Sequence, residues 1–360
     1  MAQRRRPLRV AQWTTGNVAV EAVKAVLARP DLRLVGAFAH SPAKVGVDVG
    51  TLCTLDRPLG VAATDDVAAL LALDLDCVVY TPLRFDSDEV QRILRAGVNI
   101  VTSAEFLTGR NLPDSERAAI VDAAREGGAT LFGSGMNPGF AQMIAALSSG
   151  LSTNVRTASM TESVDVSQFI GDANFQSVGW GRPKGDPGHA DDVVKGTAVF
   201  AEAVDLFAQM MGIDVDEIGC RVDFAHTTED VIADGVSLPE GHVGGMDVSW
   251  YGAVAGTEVL TVNQRWIATE SLDPPWRVAH GYRVQIVGDP SVNVTIELMP
   301  TDADLADLTV QRMRSIGLRI TAAPLVNAIP AVCAAPPGIA TYATLPAVAA
   351  RLLLTAPVAQ

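Results

Sequence analysis

Cysteine is sparse in this 360-residue chain: Cys53, Cys77, Cys220 and Cys333 lie far apart and form no CxxC pair. That excludes a disulfide scaffold and reads as reduced, mostly buried thiols in a cytoplasmic protein. The five histidines, His40, His189, His226, His242 and His280, show no HxxxH or Cys/His spacing, so no metal site is expected. His189 and His242 stand in glycine-rich loops and read as exposed. There is no GxSxG elbow to suggest a hydrolase. No apolar run unbroken by charge is long enough to cross a bilayer. The opening "MAQRRRPLRV" lacks the apolar segment of about 7–15 residues that a secretory signal needs. Basic charge is also short, with 27 Lys+Arg against 41 Asp+Glu and a net charge of -14. This balance opposes binding to nucleic acid or an anionic membrane.

What is present is a chain 48% hydrophobic and long enough for two domains. Residues 7 to about 150 alternate apolar strands with helices. Strands are expected at Leu8–Trp13, Leu32–His40, Asp76–Thr81, Val98–Ser103 and Ala129–Gly135, and a helix at Asn17–Ala28. The intervening "DSDEVQRILRAG" and "DSERAAIVDAAREGG" open on Asp-Ser, run with helical periodicity and close on glycine. Continuous apolar strands joined by helices imply a parallel sheet covered on both faces. From about Arg156 the pattern changes. "RTASMTESVDVS" alternates like an exposed strand, "VVKGTAVFAEAVDLFAQMMG" reads as one helix, and long alternating strands follow. The fold class is therefore α/β: an N-terminal doubly wound Rossmann domain (1–150) and a C-terminal α+β domain with an open mixed or antiparallel sheet (151–325). The apolar, proline-punctuated segment 326–360 is of a length to return to the first domain.

The turn after the first strand decides the ligand class. A dinucleotide turn carries three glycines, and the second matters most because backbone passes close to pyrophosphate there. Gly16 fills that position, with Trp13 and Ala19 where the outer two would fall. Trp13 either packs over the cofactor or fills the core. Asn17 and Val18 supply amides at a helix N-terminus, where anions are favoured, and Thr14 and Thr15 add hydroxyls. After the second strand stand His40, Ser41 and Lys44 rather than an acid. These suit a 2′-phosphate, so NADP is expected with NAD tolerated.

"VAQWTTGNV", "HSPAKVG", "VTSAEF", "GSGMNPGF" and "NAIPAVCAAPPG" together resemble the dihydrodipicolinate reductase-like superfamily. The branch is that of the native NAD(P)-dependent amine dehydrogenases, including 2,4-diaminopentanoate dehydrogenase. The resemblance spans nearly the whole chain. It implies a Rossmann domain, an α+β domain completing the pocket and supporting a homodimer, and a C-terminal segment returning to the cofactor. The reductase proper fits less well. In "TESVDVSQFIGD" Glu162 is present, but Val164 and Asp165 occupy its histidine positions and no lysine follows until Lys184.

Glu105 is the expected catalytic residue. It lies just past the fourth strand, at the carboxyl edge where open α/β sheets place ligands, and Ala104 and Phe106 would tend to desolvate it. The resemblance implies that the glutamate at this position transfers protons. That suits reductive amination of small ketones or aldehydes with ammonia, where a carboxylate accepts a proton from nitrogen and balances an iminium. No metal is required. Weaker candidates are Thr81 and Pro82 near the nicotinamide ribose, Asn137 and Asn327 at the nicotinamide, and Phe140, Phe169, Phe175 and Trp180 as pocket walls. The alternatives are a dihydrodipicolinate-type imine or carbonyl reductase and a non-catalytic NADP-binding sensor.

Overall fold

The computed structural model describes residues 6–350, which form two compact units: residues 6–104, 115–135 and 319–350, and residues 105–114 and 136–318. The first unit is built on a seven-stranded sheet. Its order is Gly338–Ala340, Thr130–Gly133, Asn99–Thr102, Cys77–Tyr80, Leu8–Trp13, Leu32–Phe38 and Ala63–Thr64, and every pair is parallel. Val10, Ala11, Val78, Val79, Ile100, Val101, Leu131 and Phe132 are fully buried, as strands covered on both faces require. Helix Asn17–Leu27 turns Ala19, Ala22, Val23 and Val26 inward, a spacing that puts them on one stripe. Helix Ser87–Arg95 is capped by Asp86, which accepts from the amides of Asp88 and Glu89, and ends with Arg92 and Arg95 against its dipole. The two outermost strands, Ala63–Thr64 and Gly338–Ala340, are too short to stand out as patterns in the sequence.

Trp13 belongs to the core. It is fully buried, stacks on Phe38 with centroids 4.5 Å apart, and donates its indole N–H to Glu89 at 3.2 Å.

The second unit carries another seven-stranded sheet, ordered Leu272–Asp273, Glu217–Thr227, Val243–Val254, Thr257–Ile267, Thr153–Asp165, Gly281–Asp289 and Val292–Ile296. One pair, Thr153–Asp165 with Thr257–Ile267, is parallel and the others are antiparallel, which makes the sheet mixed. Thr153–Asp165 therefore lies inside the sheet rather than at its edge. Val243–Val254 and Thr257–Ile267 form a hairpin whose two turn residues, Ala255 and Gly256, both have positive φ, as a two-residue turn matched to strand twist demands.

Two expectations need correction here. The stretch expected as one helix is two, His189–Gly196 and Val199–Met211. The break falls at Thr197, whose hydroxyl donates back to the Val193 carbonyl at 2.7 Å and accepts the Trp250 indole N–H at 3.1 Å. His189 is not exposed: it is 3% accessible, stacks on Phe224, and its Nε2 lies 2.8 Å from the Val178 carbonyl. Burial lowers its pKa.

One helix, Val310–Val332, is long and apolar enough to cross a membrane by length and composition. It carries Arg312, Arg314 and Arg319. Arg314 pairs with Asp172 and Asp234, and residues Ala322 to Val332 supply seven buried positions to the core. Charge had hidden this run in the sequence.

Close approach fixes one glycine. A Cβ on Gly127 would lie 1.9 Å from the Leu94 carbonyl oxygen, which is backbone and cannot swing aside. Gly127→Ala is expected to cost about 2–3 kcal/mol and to lower the melting temperature in a thermal unfolding scan.

Candidate active site

The dinucleotide turn lies in the first unit. Gly16 is the N-cap of helix Asn17–Leu27, and no side chain caps it, so the first-turn amides of Asn17 and Val18 face no competing oxygen. A Cβ on Gly16 would meet no protein atom within 4 Å, so the backbone borders open space there. Thr14 is held in a left-handed conformation at φ 73°, and its hydroxyl bonds to the Thr81 carbonyl at 3.1 Å. The Thr81 hydroxyl accepts from Gln12 Nε2 at 2.8 Å, so Thr81 ties the ends of two neighbouring strands together. Pro82, next to it, is half-buried. Lys44 reaches back from the second strand's loop to donate to the Thr15 carbonyl at 3.2 Å and its hydroxyl at 3.0 Å. His40 and Ser41 are exposed beside it. Uncapped amides, open space at Gly16 and an ammonium at the turn fit a pyrophosphate-containing ligand.

Asn327 sits elsewhere. It lies inside helix Val310–Val332, and its Oδ1 accepts from Arg29 at 3.2 Å. Arg29 also bonds to Asp31, just before the second strand begins. That is the amino edge of the sheet, opposite the turn at Gly16. Pro324 and Pro330, on either side of Asn327, are both accommodated within the helix.

The carboxylates lie in the second unit. Glu105 has φ 36°, a left-handed conformation that strains a non-glycine residue. Its neighbours Ala104 and Phe106 are 2% exposed, yet Glu105 itself is exposed, so they leave its carboxylate uncovered rather than desolvated. The loop that follows is held by a residue the sequence reading missed. Glu202, 1% exposed on helix Val199–Met211, accepts from the backbone amides of Leu107 (2.6 Å), Thr108 (2.9 Å), Gly109 (3.1 Å) and Asn111 (3.0 Å). One buried carboxylate thereby fixes the segment leading away from Glu105. The signal was a lone acid amid the apolar run "AVFAEAV".

A second polar group, half-buried, centres on Glu162. Its carboxylate accepts from Asn137 Nδ2 at 2.9 Å, the Tyr282 hydroxyl at 3.0 Å and the Trp266 indole N–H at 3.4 Å. Asn137 is held in turn by Gln142, which donates to its Oδ1 at 3.0 Å and accepts the Gly139 amide at 2.6 Å. Both ends of the Asn137 side chain are thus engaged within this unit. Burial raises the pKa of Glu162 against the opposing pull of its three donors. It also raises that of Tyr282, with the Glu162 charge adding to the effect. Of the aromatic candidates, Phe169 and Phe175 lie 6.3 Å apart, and Phe175 meets Trp266 edge-on at 5.4 Å. Phe200, from the helix that carries Glu202, is 6.2 Å from Trp266. Trp180 is 7% exposed with its indole N–H unpartnered, and Phe140 is half-buried.

Replacing Glu202 by glutamine puts an NH2 group where backbone donors converge. Glu202→Gln is expected to lower stability by roughly 1–3 kcal/mol. Hydrogen exchange at the amides of Leu107, Thr108 and Gly109 should quicken more than in the strands of the same unit. Unchanged exchange there would deny Glu202 its anchoring role.

Comparison with known proteins gives a consistent answer. The family model for the 2,4-diaminopentanoate dehydrogenase C-terminal domain matches residues 140–356. An amine dehydrogenase from Streptomyces virginiae is 33% identical over 305 residues, covering 79% of this chain and 83% of that protein. The solved structure of amine dehydrogenase from Mycobacterium smegmatis superposes with a TM-score of 0.76 at 26% identity, over 96% of this chain and 97% of that one. A 4-hydroxy-tetrahydrodipicolinate reductase from Anaeromyxobacter dehalogenans is 36% identical, but over only 120 residues, 32% of this chain and 42% of that protein. The parallel sheet and its open turn go with a nicotinamide dinucleotide in general, without choosing between NAD and NADP. Sequence, family domain and fold agree that this chain is an oxidoreductase belonging to the amine dehydrogenase family that includes 2,4-diaminopentanoate dehydrogenase.

Proposed function

We propose that the chain catalyses NAD(P)H-dependent reductive amination of small ketones or aldehydes with ammonia and, in reverse, oxidative deamination of amines. The observation that carries this reading is Glu105: an exposed carboxylate in a strained conformation, on a loop that a second, buried carboxylate anchors by four amides. Strain of this kind persists where the surroundings over-determine it, and it clusters at working sites. A bound nicotinamide dinucleotide supplies the hydride. Gly16, Asn17 and Val18 hold its pyrophosphate, with Thr14, Thr15, Thr81 and Pro82 around the turn. Glu105 takes a proton from the nitrogen that attacks the carbonyl and returns one as water leaves. Its negative charge then balances the iminium.

The same reading assigns dinucleotide binding to residues 1–150, substrate contact and dimerisation to 151–325, and a return to the first domain to 326–360. It places the enzyme in the cytoplasm as a homodimer. Leu305, Leu308 and Val310, exposed at 55%, 57% and 64%, are apolar surface of the kind a second subunit covers. His40, Ser41 and Lys44 favour NADPH, because the Lys44 ammonium stands at the turn and no acid is there to repel a 2′-phosphate.

Glu105→Gln is nearly isosteric. It should leave the melting temperature and cofactor affinity unchanged while lowering ammonium-dependent turnover by roughly 10²–10⁴-fold. Near-normal turnover would remove Glu105 from the mechanism. For the cofactor, NADPH should bind at least as tightly as NADH in a nicotinamide fluorescence titration, and Lys44→Ala should narrow the difference. A strong NADH preference in the unaltered enzyme would overturn the assignment.

A further inference from the structure

The Glu162 carboxylate has an electrostatic problem that its own neighbours do not solve. Its three partners, Asn137, Tyr282 and Trp266, are neutral donors, and among the described residues no salt bridge involves it. A charge taken out of water without a counter-charge is costly, so such a group takes up either a proton or a cation. Gln264 makes the second observation. It pairs in register with Glu162 on the neighbouring parallel strand, so the two side chains project from the same face. It is fully buried, yet neither Oε1 nor Nε2 has a hydrogen-bond partner. Tyr282 is in register on the other side of Glu162, and Trp266 follows Gln264 by two residues, also on that face. The sheet thus presents, side by side among aromatic rings, a half-buried carboxylate without a counter-charge and a fully buried amide without a hydrogen-bond partner.

We propose that Glu162 and Gln264 form a binding subsite for a small nitrogen cation, an ammonium or primary alkylammonium ion. Such an ion carries several N–H donors on one centre. It can satisfy free lone pairs of the Glu162 carboxylate and the Gln264 Oε1 together, and it supplies the missing positive charge. An anion is excluded by the sign of the site. A divalent metal is disfavoured because the described residues hold no group of three or more His, Cys, Asp or Glu that could bind one. The subsite rests on the amination reading only for what delivers the nitrogen: it would hold either the incoming ammonia as ammonium or the amine substrate's own nitrogen. Glu162 is a positioning residue here, distinct from the proton-transfer role assigned to Glu105.

The test is thermal unfolding of the full chain in ammonium chloride, isopropylammonium chloride and sodium chloride at equal ionic strength. It is run on the unaltered protein and on Glu162→Gln, Gln264→Met and Glu105→Gln. A cation that binds the folded state raises the melting temperature. The rise over sodium should be present in the unaltered protein and in Glu105→Gln, lost in Glu162→Gln and reduced in Gln264→Met. Gln264→Met should itself melt no lower than the unaltered protein, because it removes an unsatisfied buried amide. It therefore keeps the test open if Glu162→Gln does not fold. In turnover assays Glu162→Gln should raise KM for ammonium by roughly tenfold or more while KM for the carbonyl compound stays close to its original value.

A rise with ammonium, alone or with the amine, assigns the subsite to ammonia; a rise with isopropylammonium alone assigns it to the amine substrate. Because burial raises the pKa of Glu162, the response should fade on acidification above the ordinary carboxylate range. No other charged group faces Glu162 through a described bond, and Tyr282 stays neutral there. Responses to all three salts that are equal, or that survive unchanged in Glu162→Gln, overturn the subsite. Loss of the amination reading alone would show as full turnover in Glu105→Gln with the cation response intact.

Discussion

A carboxylate can be buried only if something replaces its water, and the second unit is organised around that requirement. Glu202 finds four backbone amides of one loop, and the loop finds in Glu202 the acceptors its own irregular path cannot provide. Neither partner is stable in that place without the other. The arrangement converts a connecting segment, ordinarily the most mobile kind of structure, into a rigid mount for the residue that precedes it. Asp48 does similar work in the first unit, accepting from the amides of Gly50, Leu59, Gly60 and Val61. Those bonds, that from Leu59 foremost, hold it below the usual carboxylate range.

Three glutamates of the second unit, Glu105, Glu162 and Glu202, illustrate how environment separates chemically identical groups. Glu202 is saturated by donors and has no capacity left for a ligand. Glu105 is exposed, its backbone held in a left-handed conformation. Glu162 lies between these extremes, partly satisfied and without counter-charge. In a chain with a net charge of -14, cationic partners inside the fold are scarce, and a carboxylate left unpaired is a position that something else must complete.

Legibility in the sequence followed the same physics. Buried parallel strands such as Leu8–Trp13 and Cys77–Tyr80 are continuous apolar runs, and the helix after Gly16 announces itself by periodicity and by the glycine. Where a side chain overrides local propensity, the pattern misleads. Thr197 ends a helix through a hydrogen bond to Trp250, which is 53 residues away and invisible to a periodicity count. Asn327 looks like loop because prolines flank it, yet the helix tolerates both. Part of the polar cluster could have been found: Gln264 occupies the buried parity of its strand with Leu260, Val262 and Trp266, a polar residue where alternation demands an apolar one. Tyr282 and Asn137, the partners of Glu162, come from segments whose meeting depends on sheet order, which spacing alone does not encode.

The strand Gly338–Ala340 pairs with Thr130–Gly133, more than two hundred residues earlier in the chain. During synthesis, Thr130–Gly133 emerges from the ribosome as an apolar strand with one side unpaired. It stays so while residues 136–318 of the second unit are made. The first unit is therefore discontinuous in time as well as in sequence: six of its strands exist long before the seventh that closes its edge. Such a nascent sheet offers an open hydrogen-bonding edge to any passing extended segment. Pairing across so long a separation in sequence is, by topology, the kind of contact that is slow to form.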